Sequence, residues 1–142
     1  MLAHVMMAFI ATFAFSIIFN APKSELIYCG LAGGFSWFVY ESVSFFEVGA
    51  IALPTFCASV SATMFSRRLS FMRKVPGTIY LIPGTLPLVP GSLIYSTMYN
   101  LITDNTEKAY EAAMNAFTAS ATIAVGIIAV FTLPASLFFR QK

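Results

Sequence analysis

Long apolar runs alternate with short polar breaks along this chain, and at roughly 20 residues per membrane crossing the runs cover 2–19, 26–43, 48–65, 77–102 and about 112–139. The pattern predicts an all-α membrane protein, a single domain over residues 1–142 with five transmembrane segments. The first run has no basic residue ahead of its apolar stretch and further spans follow it, so it reads as a retained helix rather than a cleaved signal.

The fourth run breaks its own pattern. Pro76-Gly77-Thr78, Pro83-Gly84-Thr85 and Pro90-Gly91-Ser92 repeat seven residues apart, with Pro87 between the last two. Pro83, Pro87 and Pro90 bring no N–H, so the carbonyls of Ile79, Pro83 and Leu86 lose their helical partners; Ile82, Leu86 and Val89 precede proline and are biased away from the α region. A regular helix from Ile82 to Gly91 is not expected. A fully helical 77–102 would also be ~39 Å long, against a hydrocarbon core of ~30 Å. Broken backbone at membrane depth is tolerated where protein or a water-filled cavity covers it. Pro83, Gly84, Thr85, Pro87, Pro90, Gly91 and Ser92 are therefore candidate substrate-pathway residues, while Pro76 reads as the turn that starts the segment. A proline-kinked structural helix is the plainer alternative.

Small residues mark the packing faces. Gly30 and Gly34 in the second segment allow another helix to approach closely. The third holds Ala58 and Ala62 at the same spacing, with Thr55, Ser59, Ser61 and Thr63 among them, read as helix packing and backbone hydrogen bonding before substrate contact; Pro54 is expected to kink it near one end. In the fifth, Ala112, Ala116, Ser120 and Ala124 form a four-residue ridge for packing. Beside it, Asn115, Thr118 and Thr122 continue a polar stripe from Glu111 and are added to the candidate pathway.

Composition agrees with the pattern: 58% of residues are hydrophobic and 10% charged, against about 25% charged in soluble domains. Charge matters here through its placement. Counting alternate sides, Lys23, Arg67, Arg68, Arg73, Lys74, Arg140 and Lys142 share one side and Lys108 lies on the other. This predicts a cytoplasmic basic loop at 66–75, the N-terminus outside and the C-terminus inside. Glu41, Glu47 and Glu111 fall near the outer boundary and read as exposed interface residues. The basic cluster reads as a topology anchor on anionic lipid rather than a nucleic-acid site.

Enzyme chemistry finds no constellation. His4 is the lone histidine, without a ligand cluster around it, so no metal site is expected. The 84–92 stretch lacks the Gly-Lys-Ser/Thr ending of a phosphate loop. Cys29 and Cys57 fall inside predicted segments as buried thiols, and no cofactor is implied.

The string Tyr80-Leu81-Ile82-Pro83-Gly84-Thr85-Leu86-Pro87-Leu88-Val89-Pro90-Gly91-Ser92 resembles the signature of the bacterial threonine/serine exporter family in its small-subunit form. Phe19-Asn20-Ala21-Pro22, Cys29-Gly30-Leu31-Ala32-Gly33 and Asn115-Ala116-Phe117-Thr118-Ala119-Ser120 extend the likeness over nearly the whole chain. The resemblance implies the C-terminal membrane half of a transporter. It implies a larger partner subunit carrying the cytosolic domain and the complementary half, in the bacterial inner membrane. Threonine or serine is the first substrate implied and a dicarboxylate such as succinate the second, since one split pair of this kind is associated with succinate export. A non-transporting assembly subunit is the rival reading, and a homo-oligomer remains open.

Overall fold

The computed structural model describes residues 1–46 and 51–134. Glu47, Arg140, Lys142, and the 48–50 and 135–139 ends of two predicted segments lie outside the described residues. Within them the elements are α1 (Leu2–Ile18), α2 (Leu26–Phe46), α3 (Ala52–Arg73), α4 (Thr78–Thr85), a 3₁₀ turn (Leu86–Leu88), α5 (Gly91–Ile102) and α6 (Thr106–Thr132).

The described residues are helical as the pattern predicted, but five separate spans are not evident from length and apolarity. By those measures, among the described residues, α6 alone is long and apolar enough to cross a membrane unaided, and α4 with its turn and α5 qualify together as one pair bent by 45°. The α1 helix is apolar but only 17 residues long. In α2 and α3, serines, threonines and charged residues dilute the apolar content. Two boundaries move as well. The predicted basic loop at 66–75 is mostly helix, because α3 carries Arg67, Arg68 and Arg73 on its last turns. The last helix starts at Thr106 rather than 112 and so includes Glu107, Lys108 and Glu111. Pro54 sits in the first turn of α3, where a missing N–H costs no helical bond.

Three helices end in the same way. Asn20, Lys74 and Asp104 each adopt a left-handed conformation, with φ of 56°, 56° and 59°. The amide that follows the left-handed residue then reaches back: Ala21 to the Ser16 carbonyl, Val75 to Ser70 and Asn105 to Asn100, at 3.0, 3.3 and 2.8 Å. These are Schellman ends. They reverse the chain within a few residues and set successive helices side by side.

α2 lies at the centre, packed against α1, α3 and α4; α3 also packs on α4 and α6, and α5 packs on α6. The interior is built from small residues. Ala8, Cys29, Ala32, Ala58, Ala62, Ala109, Ala112, Ala116 and Ala119 are buried alongside Thr12, Ser16, Ser36, Thr55, Ser59, Thr63 and Ser66. Large apolar side chains point outward instead, with Leu2 79%, Phe117 70% and Ile102 85% exposed. Such an inversion leaves no large apolar core for water to drive together. It suits lipid, where close approach of small residues and interhelical contacts hold helices together.

Glycines make the closest approaches. A Cβ on Gly33 would overlap the side chain of Thr12, and one on Gly30 would come 2.8 Å from the Phe9 ring. Gly34 faces Phe9 and the Val5 carbonyl. The second-segment glycines thus hold α1 against α2.

Candidate functional site

Helix persists further into the proline string than its sequence suggests. Pro83 lies inside α4, and the break falls after Leu88, where Val89 is extended (φ −63°, ψ 128°) before α5 starts at Gly91. Pro83 is tolerated because its cost is met from outside the helix: the Ile79 carbonyl, deprived of its partner, accepts from Cys29 Sγ at 3.3 Å. The other two freed carbonyls are taken locally. Leu86 N–H donates to the Pro83 carbonyl, and Val89 N–H to Leu86 at 3.1 Å. Ser36 Oγ adds a bond to the Gly84 carbonyl at 2.8 Å. Little of this backbone is left open to solutes between Ile79 and Leu86.

Beyond the break the geometry changes. A cavity of about 310 Å³ opens between Trp37 and Tyr40 of α2, Thr55 of α3, Pro87 to Pro90, Ser92 and Leu93, and Ala119 of α6. Its wall includes the start of α5. The first acceptor in α5 is the Pro90 carbonyl, taken by Ile94 N–H at 3.1 Å, so the Ser92 and Leu93 amides precede the helical bonding pattern. Helix N-terminal amides carry partial positive charge and suit a carboxylate. Trp37, which also lines a neighbouring cavity with His4, Met7 and Pro87, has its indole nitrogen buried without a hydrogen-bond partner. On the opposite wall Thr55 Oγ1 donates to the Ile51 carbonyl at 2.6 Å, which leaves its lone pairs as acceptors.

The proposed pathway residues therefore divide. Pro87, Pro90 and Ser92 line this cavity. Gly91 is exposed with nothing within 4 Å of where a Cβ would stand. Pro83 faces a smaller cavity, about 240 Å³, against Phe19 to Pro22. Gly84 is buried on Ala32, and Thr85 Oγ1 returns to the Leu81 and Ile82 carbonyls at 2.9 and 3.2 Å. Asn115, Thr118 and Thr122 are half-buried on α6, and both threonine hydroxyls bond back to their own helix, at Met114 and Thr118. It is Ala119 that α6 contributes to the cavity.

On the packing ridge, Ala112 and Ala116 are buried while Ser120 and Ala124 are exposed. A strict four-residue step gains about 40° each time and drifts off one face. The buried face instead steps by three, four or seven through Ala109, Ala112, Ala116, Ala119, Gly126 and Val130. Trp37 and Tyr40 were missed by the sequence reading, although Gly30, Gly33, Trp37 and Tyr40 continue one face of α2 at the same alternating step.

A second polar centre ties the opposite end together. Glu25 accepts from Arg73 Nη2 at 2.8 Å and Nε at 3.1 Å, from the Tyr80 hydroxyl at 2.6 Å and from Ser24 at 3.0 Å. Arg73 also stacks on Tyr28, 4.7 Å from the ring centre. The Arg73 hydrogen bonds, helped by those from Tyr80 and Ser24, outweigh the cost of burial and bring the Glu25 carboxyl down from 4.5 to about 2. Arg73 is shifted up in return. His4 Nδ1 lies 2.9 Å from Glu41 Oε1 near the other end of α2. No group of three or more metal-ligating side chains occurs among the described residues.

A family model described as "Threonine/Serine exporter, ThrE" matches residues 4–133. No curated protein and no solved structure matches the chain.

Proposed function

Because the chain belongs to the threonine/serine exporter family, we propose that it is one subunit of a secondary exporter for a small polar metabolite. Threonine or serine is the first candidate and a dicarboxylate such as succinate the second. It works as a multi-pass protein of the bacterial cytoplasmic membrane. The basic residues at 66–75 face the cytoplasm, and the larger partner subunit supplies the cytosolic domain and the complementary membrane half. α5 buries none of its residues and packs on α6, which leaves a long face for that partner.

One observation carries the reading: the start of α5 opens on the 310 Å³ cavity. A substrate carboxylate is held there by the Ser92 and Leu93 amides and Trp37 Nε1, in place of its water. An α-ammonium or hydroxyl of the same solute meets Thr55 across the cavity. The chemistry is recognition and release, with no bond made or broken in the solute.

Vesicles containing both subunits are expected to move labelled threonine, serine or succinate. Absence of flux for all three would remove the reading.

A further inference from the structure

We propose that the solute crosses this chain along the groove that α4 and α6 leave over α3, from the cavity at Thr55 and Ser92 to a second cavity at Ser66 and Arg67. The contact of Ser59 with Gly126 closes the groove midway. The inference rests on the exporter reading and assigns its route.

The second cavity, about 300 Å³, lies at the basic end of α3 and is lined by Thr63, Ser66, Arg67, Thr78, Leu81 and Phe131 among others. The same three parts of the chain wall both cavities. α3 gives Thr55 to one and Thr63 and Ser66 to the other, the broken segment gives Leu88 and Leu81, and α6 gives Ala119 and Phe131. α3 packs on both α4 and α6, whereas α4 and α6 barely touch each other. They stand as two banks with α3 as the floor. From Thr55 to Ser66 the floor rises ~17 Å along the helix, a little over half the ~30 Å hydrocarbon core, so each cavity is placed to open toward a different side.

The floor is polar where an ordinary membrane core is not. Thr55, Ser59, Thr63 and Ser66 are 2%, 0%, 0% and 1% exposed and fall at steps of four, four and three on one face. Each donates its hydroxyl proton to a carbonyl of its own helix, at 2.6, 2.9, 2.7 and 2.8 Å. The oxygens that remain are therefore acceptors in series. They match a solute with ammonium or hydroxyl protons, while Arg67 at the far cavity is engaged by the end of α6, donating to the Val130 and Leu133 carbonyls and lying over the Phe131 ring. Between the cavities α6 comes so close to α3 that a Cβ on Gly126 would overlap Ser59 Oγ. Parting these two helices there joins the cavities.

The test uses the full two-subunit complex, with Cys29→Ser and Cys57→Ser in this chain and single cysteines at Thr55, Ser66 or Met64. A charged, membrane-impermeant methanethiosulfonate is applied from each side. Thr55→Cys is expected to react from one side only, Ser66→Cys from the other only, and Met64→Cys, on the exposed outer face, from neither; threonine at saturating concentration slows the first two. Thr63→Val keeps the shape but removes the acceptor, and should cut threonine flux at least tenfold with thermal stability unchanged. Inert cysteines at both Thr55 and Ser66, or undiminished flux in Thr63→Val, would overturn the route. If instead the unsubstituted complex moves none of threonine, serine or succinate, the exporter reading falls and the route falls with it.

Discussion

The phenol of Tyr80 donates to the Glu25 carboxylate at 2.6 Å, and both residues are buried, at 0% and 3% exposure. This bond joins the start of α2 to α4, and Arg73 brings in the end of α3 through the same carboxylate. Tyr80→Phe removes a bond to a charged acceptor and leaves an apolar ring of nearly the same shape. A loss of about 1.5–3 kcal/mol is expected. Thermal unfolding of the complex in detergent should show a lower midpoint; an unchanged midpoint would mean that the bond contributes nothing net.

Glu25 also sets a pH dependence. Its carboxyl is depressed from 4.5 to about 2, so the folded state favours the ionised form. The stability it adds is fully present above about pH 5 and is lost as pH falls toward 2. The midpoint of the unsubstituted chain should decline through that window. Glu25→Gln cannot titrate, and its curve should start lower and stay flatter there. Parallel curves for the two proteins would show that other groups control acid unfolding.

Gly33 and Gly91 separate a packing glycine from one free of contact. A methyl on Gly33 would overlap Thr12, which is fully buried, so Gly33→Ala should cost about 1–3 kcal/mol as α1 is pushed off α2. A methyl on Gly91 meets nothing within 4 Å. Gly91→Ala is expected to leave the unfolding midpoint unchanged or slightly raised, because alanine is the better helix former. Equal midpoints for the two variants would contradict the packing described.

The helical class and the proline break were legible because both follow from local chemistry: apolar runs of helical length, and prolines that remove donors. The exact break was not. Pro83 fits inside α4 because Cys29, 50 residues away in sequence, reaches the Ile79 carbonyl, and periodicity carries no sign of such a bond. The same limit hid Trp37 and left Thr55 read as packing before substrate contact; both become cavity walls only when α2, α3 and the break are brought together. Ser120 and Ala124 leave the face that α6 buries within this chain for a simpler reason: a four-residue step taken three times rotates by about 120°.

Ser36 is the polar clasp between α2 and the broken segment. Its Oγ lies 2.8 Å from the Gly84 carbonyl and 2.9 Å from the Gly33 carbonyl. Ser36→Ala leaves the Gly84 carbonyl without this donor in a buried setting, at a cost of about 1–3 kcal/mol. The damage should be local, so hydrogen exchange at the Leu86 and Leu88 amides is expected to speed up more than exchange in α6. A uniform change across all helices would argue against a clasp.

Trp37→Phe distinguishes a site from a scaffold. The indole nitrogen is buried without a partner, so deleting it removes an unsatisfied donor from the folded chain. Stability should hold or rise by about 1 kcal/mol, and the ring that remains still packs beside Tyr40, whose ring centre lies 5.2 Å from that of Trp37. Transport should move in the opposite direction. If the nitrogen waits for a substrate carboxylate, its loss raises the KM for threonine several-fold while assembly with the partner is unaffected. A variant that is both as stable and as active as the parent would leave Trp37 as wall alone, and would shift the carboxylate site onto the α5 amides.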